Sequence, residues 1–371
     1  MSAVGRATRV VAFVAIVLLT ACGGEYPGST ISPKTDIGET VQALYVSVFW
    51  WSMFILVIVW SVMAWVIIRF RERPGQPEPR QIHGHLGLEI AWTIIPAIIV
   101  VAIAIPTVQA VFATQTPPGD DALLIEVTGH RYWWEFEYPE LDIATANELH
   151  VPVGRPVSLR LASDDVIHSF WVPMLGGKRD VNPLRATVDG EEPKYNWYYF
   201  TLNEGGEFIG QCAEFCGQSH ALMGIKVVAE SEADFNAWAE SMNEPSPTAA
   251  QPAPDAAPSA QADPLVAQGR DIFLSSTCVA CHSIEGTPAA GVLGPNLTRM
   301  GEHQYIAAGM LENTPDNLFR WIRDPASVKP DARMPATDRE AKLPVGQGVW
   351  PATGLSDDQV RAVAAYLSSL R

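Results

Sequence analysis

At 371 residues the chain is longer than the roughly 100 to 200 residues of one domain, so two or three units are expected. A formal net charge of -16 excludes the basic footprint of a nucleic-acid-binding protein, while an acidic surface suits either solubility or the attraction of a small basic protein. The hydrophobic fraction of 48% is ordinary, but the apolar residues crowd into the first third, which points to a membrane anchor carrying exposed domains.

In chain order, Arg6 and Arg9 precede the apolar run VVAFVAIVLLTAC, the layout of an export signal expected over residues 1–21. Leu19-Thr20-Ala21-Cys22 resembles a bacterial lipoprotein signal, with Cys22 as the lipid attachment; the plainer alternative is an ordinary signal peptide with an incidental cysteine. Residues 22–115 are expected to form a tail and a transmembrane hairpin. No charge occurs from Val41 to Ile68, and a second uncharged run follows Glu89, so helices are predicted over about 41–68 and 90–113, each long enough to cross ~30 Å of hydrocarbon. Pro96 and Pro106 are tolerable in a membrane helix. Arg69, Arg71, Arg73 and Arg80 put the connecting loop in the cytoplasm, so both hairpin ends and all that follows face outside.

After Asp120 the pattern becomes short alternating runs such as LLIEVTGHRYWWEFEY and VSLRLASDDVIHSFWVP, which read as half-buried strands of a small β-domain over 116–242. Ser231 to Asp234 has the form of a capping box before a closing helix. Residues 243–264 are rich in Pro and Ala and read as a semi-extended linker to a mobile, tethered domain. In 265–371, amphipathic LVAQGRDIFLSS and SDDQVRAVAAYLSSL bracket a middle rich in Gly and Pro, a small all-α domain. No internal repeat is visible.

Two motifs carry the chemistry. In CAEFCGQSHALM, Cys212, Cys216, His220 and Met223 lie within a dozen residues, and soft sulfur ligands select copper. A blue-copper site uses one Cys; two thiolates allow bridging of two copper ions, with a second imidazole from upstream, for which His168 at a strand end is the candidate. A tetrahedral zinc site of the same residues, or a disulfide, is the structural alternative. In CVACH, Cys278, Cys281 and His282 form the c-type haem attachment signature, two thioethers and an axial imidazole, with a zinc or redox Cys-x-x-Cys as alternative. Met300, Met310 and Met334 are available as second axial ligand. With Cys22 lipidated, the five cysteines leave none for a disulfide.

The copper segment resembles subunit II of the haem-copper oxidases, whose CuA motif has this Cys, Glu, Cys, His, Met order and an upstream His-Ser. The resemblance implies a cupredoxin-like Greek-key β-barrel, bridging roles for Cys212 and Cys216, ligation by His168, His220 and Met223, and a carbonyl ligand from Glu214. It also implies a magnesium or manganese site at the contact with subunit I, matched by the Glu214 side chain and Asp180. Gly129-His130-Arg131-Tyr132-Trp133-Trp134 resembles the family's aromatic electron-input segment but has Tyr132 where a Trp is usual. Tyr132 and Trp134 are the input candidates, with packing of one strand face as the plainer reading of these aromatics. Glu89 resembles the acid at the mouth of a proton pathway, though a helix N-terminal acid is stabilised by the dipole in any case. Met334, in VKPDARMPA, resembles the Met-Pro segment of class I cytochromes c, and Gly294 to Leu297 the loop that backs the haem histidine.

Together these features resemble subunit II of caa-type cytochrome c oxidases over nearly the whole chain. The implied protein sits in a bacterial cell membrane, with the copper and cytochrome domains on the outer, periplasmic face. It takes electrons from cytochrome c or a bc-type complex through haem c to CuA and on to haem a of subunit I, where oxygen is reduced with proton pumping. Subunit III is a further implied partner. The rival assignments are a CuA subunit of a nitric oxide reductase and a membrane-tethered copper-binding protein.

Overall fold

The computed structural model describes residues 26, 28–77, 81, 83–184, 194–249, 263–342 and 348–371. The expected signal segment and Cys22 lie outside the described residues.

Among the described residues two long apolar helices come first, α1 (Asp36–Arg69) and α2 (Leu86–Ala113). At 34 and 28 residues they reach about 51 and 42 Å at 1.5 Å per residue, more than a bilayer core needs. Large apolar side chains such as Trp50, Val57, Trp60, Ile68, Ile98 and Val100 stand exposed along them, a surface suited to lipid and not to water. Both helices begin about four residues before the expected start, because capping chemistry outlasts the apolar run. Thr35 accepts from Gly38 N and caps α1, while His85 accepts from Leu88 N and Glu89 Oε1 accepts from His85 N at 3.0 Å in α2.

The early start of α1 has a structural use. Thr35 is fully buried and donates to Leu175 O at 2.5 Å, Asp36 Oδ1 accepts from Thr201 N at 2.9 Å, and Glu39 accepts from Asn203 Nδ2 at 2.9 Å. The helix therefore enters the membrane as a rigid continuation of the β-domain.

Among its described residues that domain has ten strands: β1 (Leu123–His130), β2 (Trp133–Tyr138), β3 (Ile143–Ala146), β4 (Glu148–Pro152), β5 (Pro156–Ser163), β6 (His168–Trp171), β7 (Arg179–Val181), β8 (Asn196–Thr201), β9 (Gly206–Cys212) and β10 (Gly224–Glu230). They form two five-stranded sheets, ordered β3-β2-β1-β5-β8 and β4-β10-β9-β6-β7. β1 runs parallel to β5 and β4 parallel to β10, while the other neighbours are antiparallel. Alternation puts Ile125, Val127, Trp134, Phe136, Leu159 and Phe170 into one core between the sheets. The chain changes sheet between β3 and β4 at Asn147, whose φ of 63° suits Asn; its side chain accepts from Trp134 N at 3.0 Å. Helix α3 (Glu232–Met242), capped by Ser231 as expected, closes the domain with Phe235 in the core.

The C-terminal domain packs α4 (Pro264–Ser275), α5 (Pro315–Arg323), the short α6 (Pro325–Val328) and α7 (Asp357–Ser369) around Phe273, Leu318, Ile322, Val363 and Tyr366. Helices α4 and α7 match the two amphipathic runs. Helix α5 falls in the stretch read as rich in Gly and Pro. Its signal, a Thr314 cap before Pro315 and Asp316, was legible.

The described start of the expected linker is not free chain. Ala249 is fully buried, Thr248 Oγ1 donates to Ser369 O at 2.8 Å, and Arg299 binds the carbonyls of Ser241 and Glu244. Residues 243–249 thus lie on the C-terminal domain, which the structure shows seated on the β-domain where a mobile domain was expected.

Where α4 crosses α7, a Cβ on Gly269 would lie 1.9 Å from Ala362 O, so only glycine permits this approach. Gly269→Ala is expected to destabilise the C-terminal domain by about 2 kcal/mol, read as an earlier thermal loss of helical circular dichroism while the β-domain transition stays in place.

Candidate metal centres

Strands β9 and β10 are neighbours in one sheet, and the copper motif is the loop joining them. Cys212 N donates to Met223 O at 2.9 Å, which closes the loop, and a 3-10 turn over His220–Leu222 holds its second half. Strand β6 pairs with β9 on its other side, with Phe170 opposite Cys212, so His168 arrives at the same end of the sandwich.

The distances form one cluster. Cys212 Sγ lies 3.9 Å from Cys216 Sγ, 3.9 Å from His168 Nδ1 and 3.2 Å from Glu214 O, and Cys216 Sγ lies 3.8 Å from His220 Nδ1. The sulfurs are well beyond the ~2.05 Å of a disulfide. Ligand atoms of His168, Cys212 and Cys216 lie within 4.8 Å of one another. Met223, at the end of the same loop, is buried. The donor set of two thiols, two imidazoles, a thioether and a carbonyl fits a copper pair, because soft sulfur dominates it.

Electrostatics favour one thiolate already. Hydrogen bonds from Cys216 and His168 lower the Cys212 pKa, while its bond to Cys212 and then burial push Cys216 up. Burial works to lower the His168 pKa, but its bonds to Asp165 and Cys212 raise it. Asp165 Oδ1 sits 2.8 Å from His168 Nε2, leaving Nδ1 toward the sulfur. Gly129 is required beside this ring, since a Cβ there would be 2.8 Å from His168 Cδ2.

Other expected residues fall elsewhere. Trp134 is fully buried at 5.8 Å from the His168 ring, behind the site and away from the surface. Tyr132 is at the domain contact. The Asp180 and Glu214 side chains are exposed on adjoining edges: Asp180 pairs with Ser169, whose carbonyl accepts from Ala213 N at 2.9 Å. Glu89 is in the first turn of α2, about 36 Å of helix from the end that returns to the β-domain.

A cavity of about 510 Å³ opens between the two domains, lined by Cys278, Cys281, His282, Met300 and Met334 on one side and by His130, Arg131, Tyr132 and Trp133 on the other. His282 Nδ1 is 2.9 Å from Pro295 O, which leaves Nε2 for a metal, and burial pushes the ring toward its neutral form against that carbonyl. A Cβ on Gly294 would come 2.7 Å from the His282 ring. The cavity's size, apolar lining, paired thiols and neutral imidazole fit a haem. Met310 does not line it. Trp133, which sequence reasoning passed over, does; the signal was its strand alternation, which turns it outward from the Tyr132 and Trp134 face.

Two membrane-length helices, a cupredoxin-like domain with a sulfur-rich metal cluster and a cytochrome c domain define a membrane-anchored electron-transfer protein. Residues 31–110 match the family "Cytochrome C oxidase subunit II, transmembrane domain", residues 141–230 its "periplasmic domain", and residues 266–371 "Cytochrome c". The chain is 36% identical to cytochrome c oxidase subunit 2 of Alkalihalophilus pseudofirmus, covering 96% of this chain and 94% of the relative, and 34% identical to that of Bacillus subtilis, covering 98% of each. A solved structure of the periplasmic domain of cytochrome oxidase subunit II from Bradyrhizobium japonicum is 29% identical over 34% of this chain and 96% of that one, with a TM-score of 0.31. The chain belongs to the cytochrome c oxidase subunit II family, in a form with a C-terminal cytochrome c domain, and so assembles with other subunits of a haem-copper oxidase.

At the cavity's rim, His130 lies 2.9 Å from Asp164 and 3.0 Å from Glu135 and stacks on Trp133 at 4.1 Å. Burial opposes its charge, but the two carboxylates raise its pKa from 6.5 to about 9. A raised folded-state pKa means the stabilisation is fully present below 6.5 and is lost as pH rises through about 9. Thermal melts of the β-domain between these limits should show a loss on the order of 2 kcal/mol that His130→Gln removes.

Proposed function

We propose that this chain is the electron-accepting subunit of a respiratory oxidase, that it holds a dinuclear copper centre and a covalent haem c on the periplasmic face, and that it passes electrons from its cytochrome domain to its copper domain and on to haem a of subunit I. There oxygen is reduced with proton pumping. The observation that carries this is the placement of the two clusters on either side of one domain contact, with Tyr132 between them.

Cys212, Cys216, His168, His220, Met223 and the Glu214 carbonyl would hold the copper pair, the two thiolates supplying the soft ligands it prefers. When bound, the copper pair and the haem each supply a one-electron carrier of little geometric change. The residues do the rest: Asp165 fixes the His168 tautomer, the closed loop holds the sulfurs, and the apolar wall keeps water out. Cys278, Cys281 and His282 would hold the haem, and Met334 would be the methionine facing it, since Met300 continues from the Pro295 loop behind His282, its N bonded to Leu297 O at 3.0 Å.

The adjoining exposed acids Glu214 and Asp180 suit a magnesium or manganese ion shared with subunit I. Glu89, at the far end of α2, suits proton uptake from the cytoplasmic side, where the arginine-rich loop would lie. Tyr132, seated between copper loop and cavity, suits the input path better than buried Trp134. Lipid on Cys22, subunit III, and cytochrome c or a bc-type complex as donor complete the assignment. The names of the relatives favour oxygen over nitric oxide as acceptor.

Purified chain is expected to contain copper and haem, and the double substitution Cys212→Ser with Cys216→Ser to lose essentially all copper by elemental analysis while keeping its haem band. Stoichiometric zinc in the native chain would overturn the assignment.

A further inference from the structure

Besides the Arg299 contact with α3, the cytochrome domain touches the β-domain, among the described residues, through two surfaces near the copper loop. One is the segment Lys329–Arg333, which leaves α6 and ends one residue before Met334. Tyr132 donates from its hydroxyl to Asp331 Oδ2 at 2.8 Å and accepts there from Gln218 N, in the copper loop, at 3.1 Å. Ser219 Oγ donates to Pro330 O at 2.6 Å. The Lys329 ammonium, 3% exposed, donates to the carbonyls of Tyr132 and Ala307. Arg333 pairs with Asp165 at 2.9 Å, and Asp165 is the residue bonded to His168.

The other surface is the tip between Tyr305–Ile306 and Leu311–Glu312. Ala307 and Ala308 stand at φ of 53° and 56°, a left-handed conformation that alanine keeps only where its surroundings hold it. Here Ala308 O accepts from Gly224 N at 3.2 Å, and a Cβ on Gly224 would lie 2.7 Å from that oxygen. Lys226 binds Gln304 at 2.9 Å and His303 binds Glu148 at 3.1 Å beside it. Two ion pairs, Arg333 with Asp165 and His303 with Glu148, cross the contact, strained backbone sits in it, and a glycine makes room for it. Those are marks of a built interface.

We infer that Lys329–Arg333 is a docking latch for the chain's own cytochrome domain and that Arg333 is a positioning residue, which orients the copper ligand His168 through Asp165. The latch also continues into Met334 at the haem cavity, so one five-residue stretch and its neighbour touch the surroundings of both centres. Docking and copper binding are therefore linked: the factor by which docking changes copper affinity is the factor by which bound copper changes docking. The positioning half rests on the copper assignment above; the docking half does not.

The test uses the intact chain in detergent, loaded with copper and haem, and reads amide hydrogen exchange at position 224 together with the histidine nitrogen couplings in the copper electron spin resonance. The wild-type amide should be protected. Arg333→Gln should speed its exchange about tenfold or more, leave the Val227 amide unchanged, and shift the nitrogen couplings, with Arg333→Lys restoring both. Gly224→Ala, whose added methyl meets only the cytochrome domain at close range, should release the domain without altering any charge. Exchange at position 224 equally fast in wild type and Arg333→Gln overturns the docking latch, and couplings indifferent to Arg333→Gln overturn the positioning role. Metal analysis of the same sample separates the cases: a chain without copper sinks the positioning half with the assignment it rests on, while exchange still decides the docking.

Discussion

The structure depends on one closure, the bond from Cys212 N to Met223 O that ends the β9–β10 ladder and turns the intervening residues into a fixed loop. Without it two thiols, an imidazole and a thioether would be spread along a flexible chain. With it they converge at one end of a sandwich whose adjacent strand, β6, delivers His168 already oriented by Asp165. A preformed ligand cage is what an electron carrier needs, because movement of ligands between redox states would slow every transfer.

The same loop is also the floor on which the cytochrome domain sits. Gly217 is what allows this, since a Cβ there would lie 2.3 Å from the Tyr132 hydroxyl. Tyr132 can therefore press against the loop from one side and reach Asp331 on the other. Burial first, then the Asp331 carboxylate, raises its pKa to about 12, which keeps the phenol protonated and donating. The cavity beyond is walled partly by β-domain residues, so the haem environment belongs to both domains.

Rigidity extends downward as well. The first turn of α1 is bonded into the edge of the β-domain through Thr35, Asp36 and Glu39, which fixes the height and tilt of the metal loop relative to the bilayer. An acid-rich cap on an apolar helix serves two ends here: it satisfies the free amides and it ties the helix to Thr201 and Asn203.

Much was legible in order and spacing alone. The hairpin followed from uncharged runs, the strands from alternation, the copper ligands of the loop from a dozen adjacent residues, and the haem attachment from five. These are local signals, governed by solvent preference and by covalent reach. Asp165, Arg333 and the wall shared between domains carry no such signal, because their roles come from contacts between residues far apart in the chain: Tyr132 and Asp331 are separated by 199 positions. Sequence by itself determined which groups this protein has to bind metal and cross a membrane. Only the tertiary structure decided how the two centres face each other, since hydrogen bonds and ion pairs between distant segments are specified by packing geometry and leave no periodic trace along the chain.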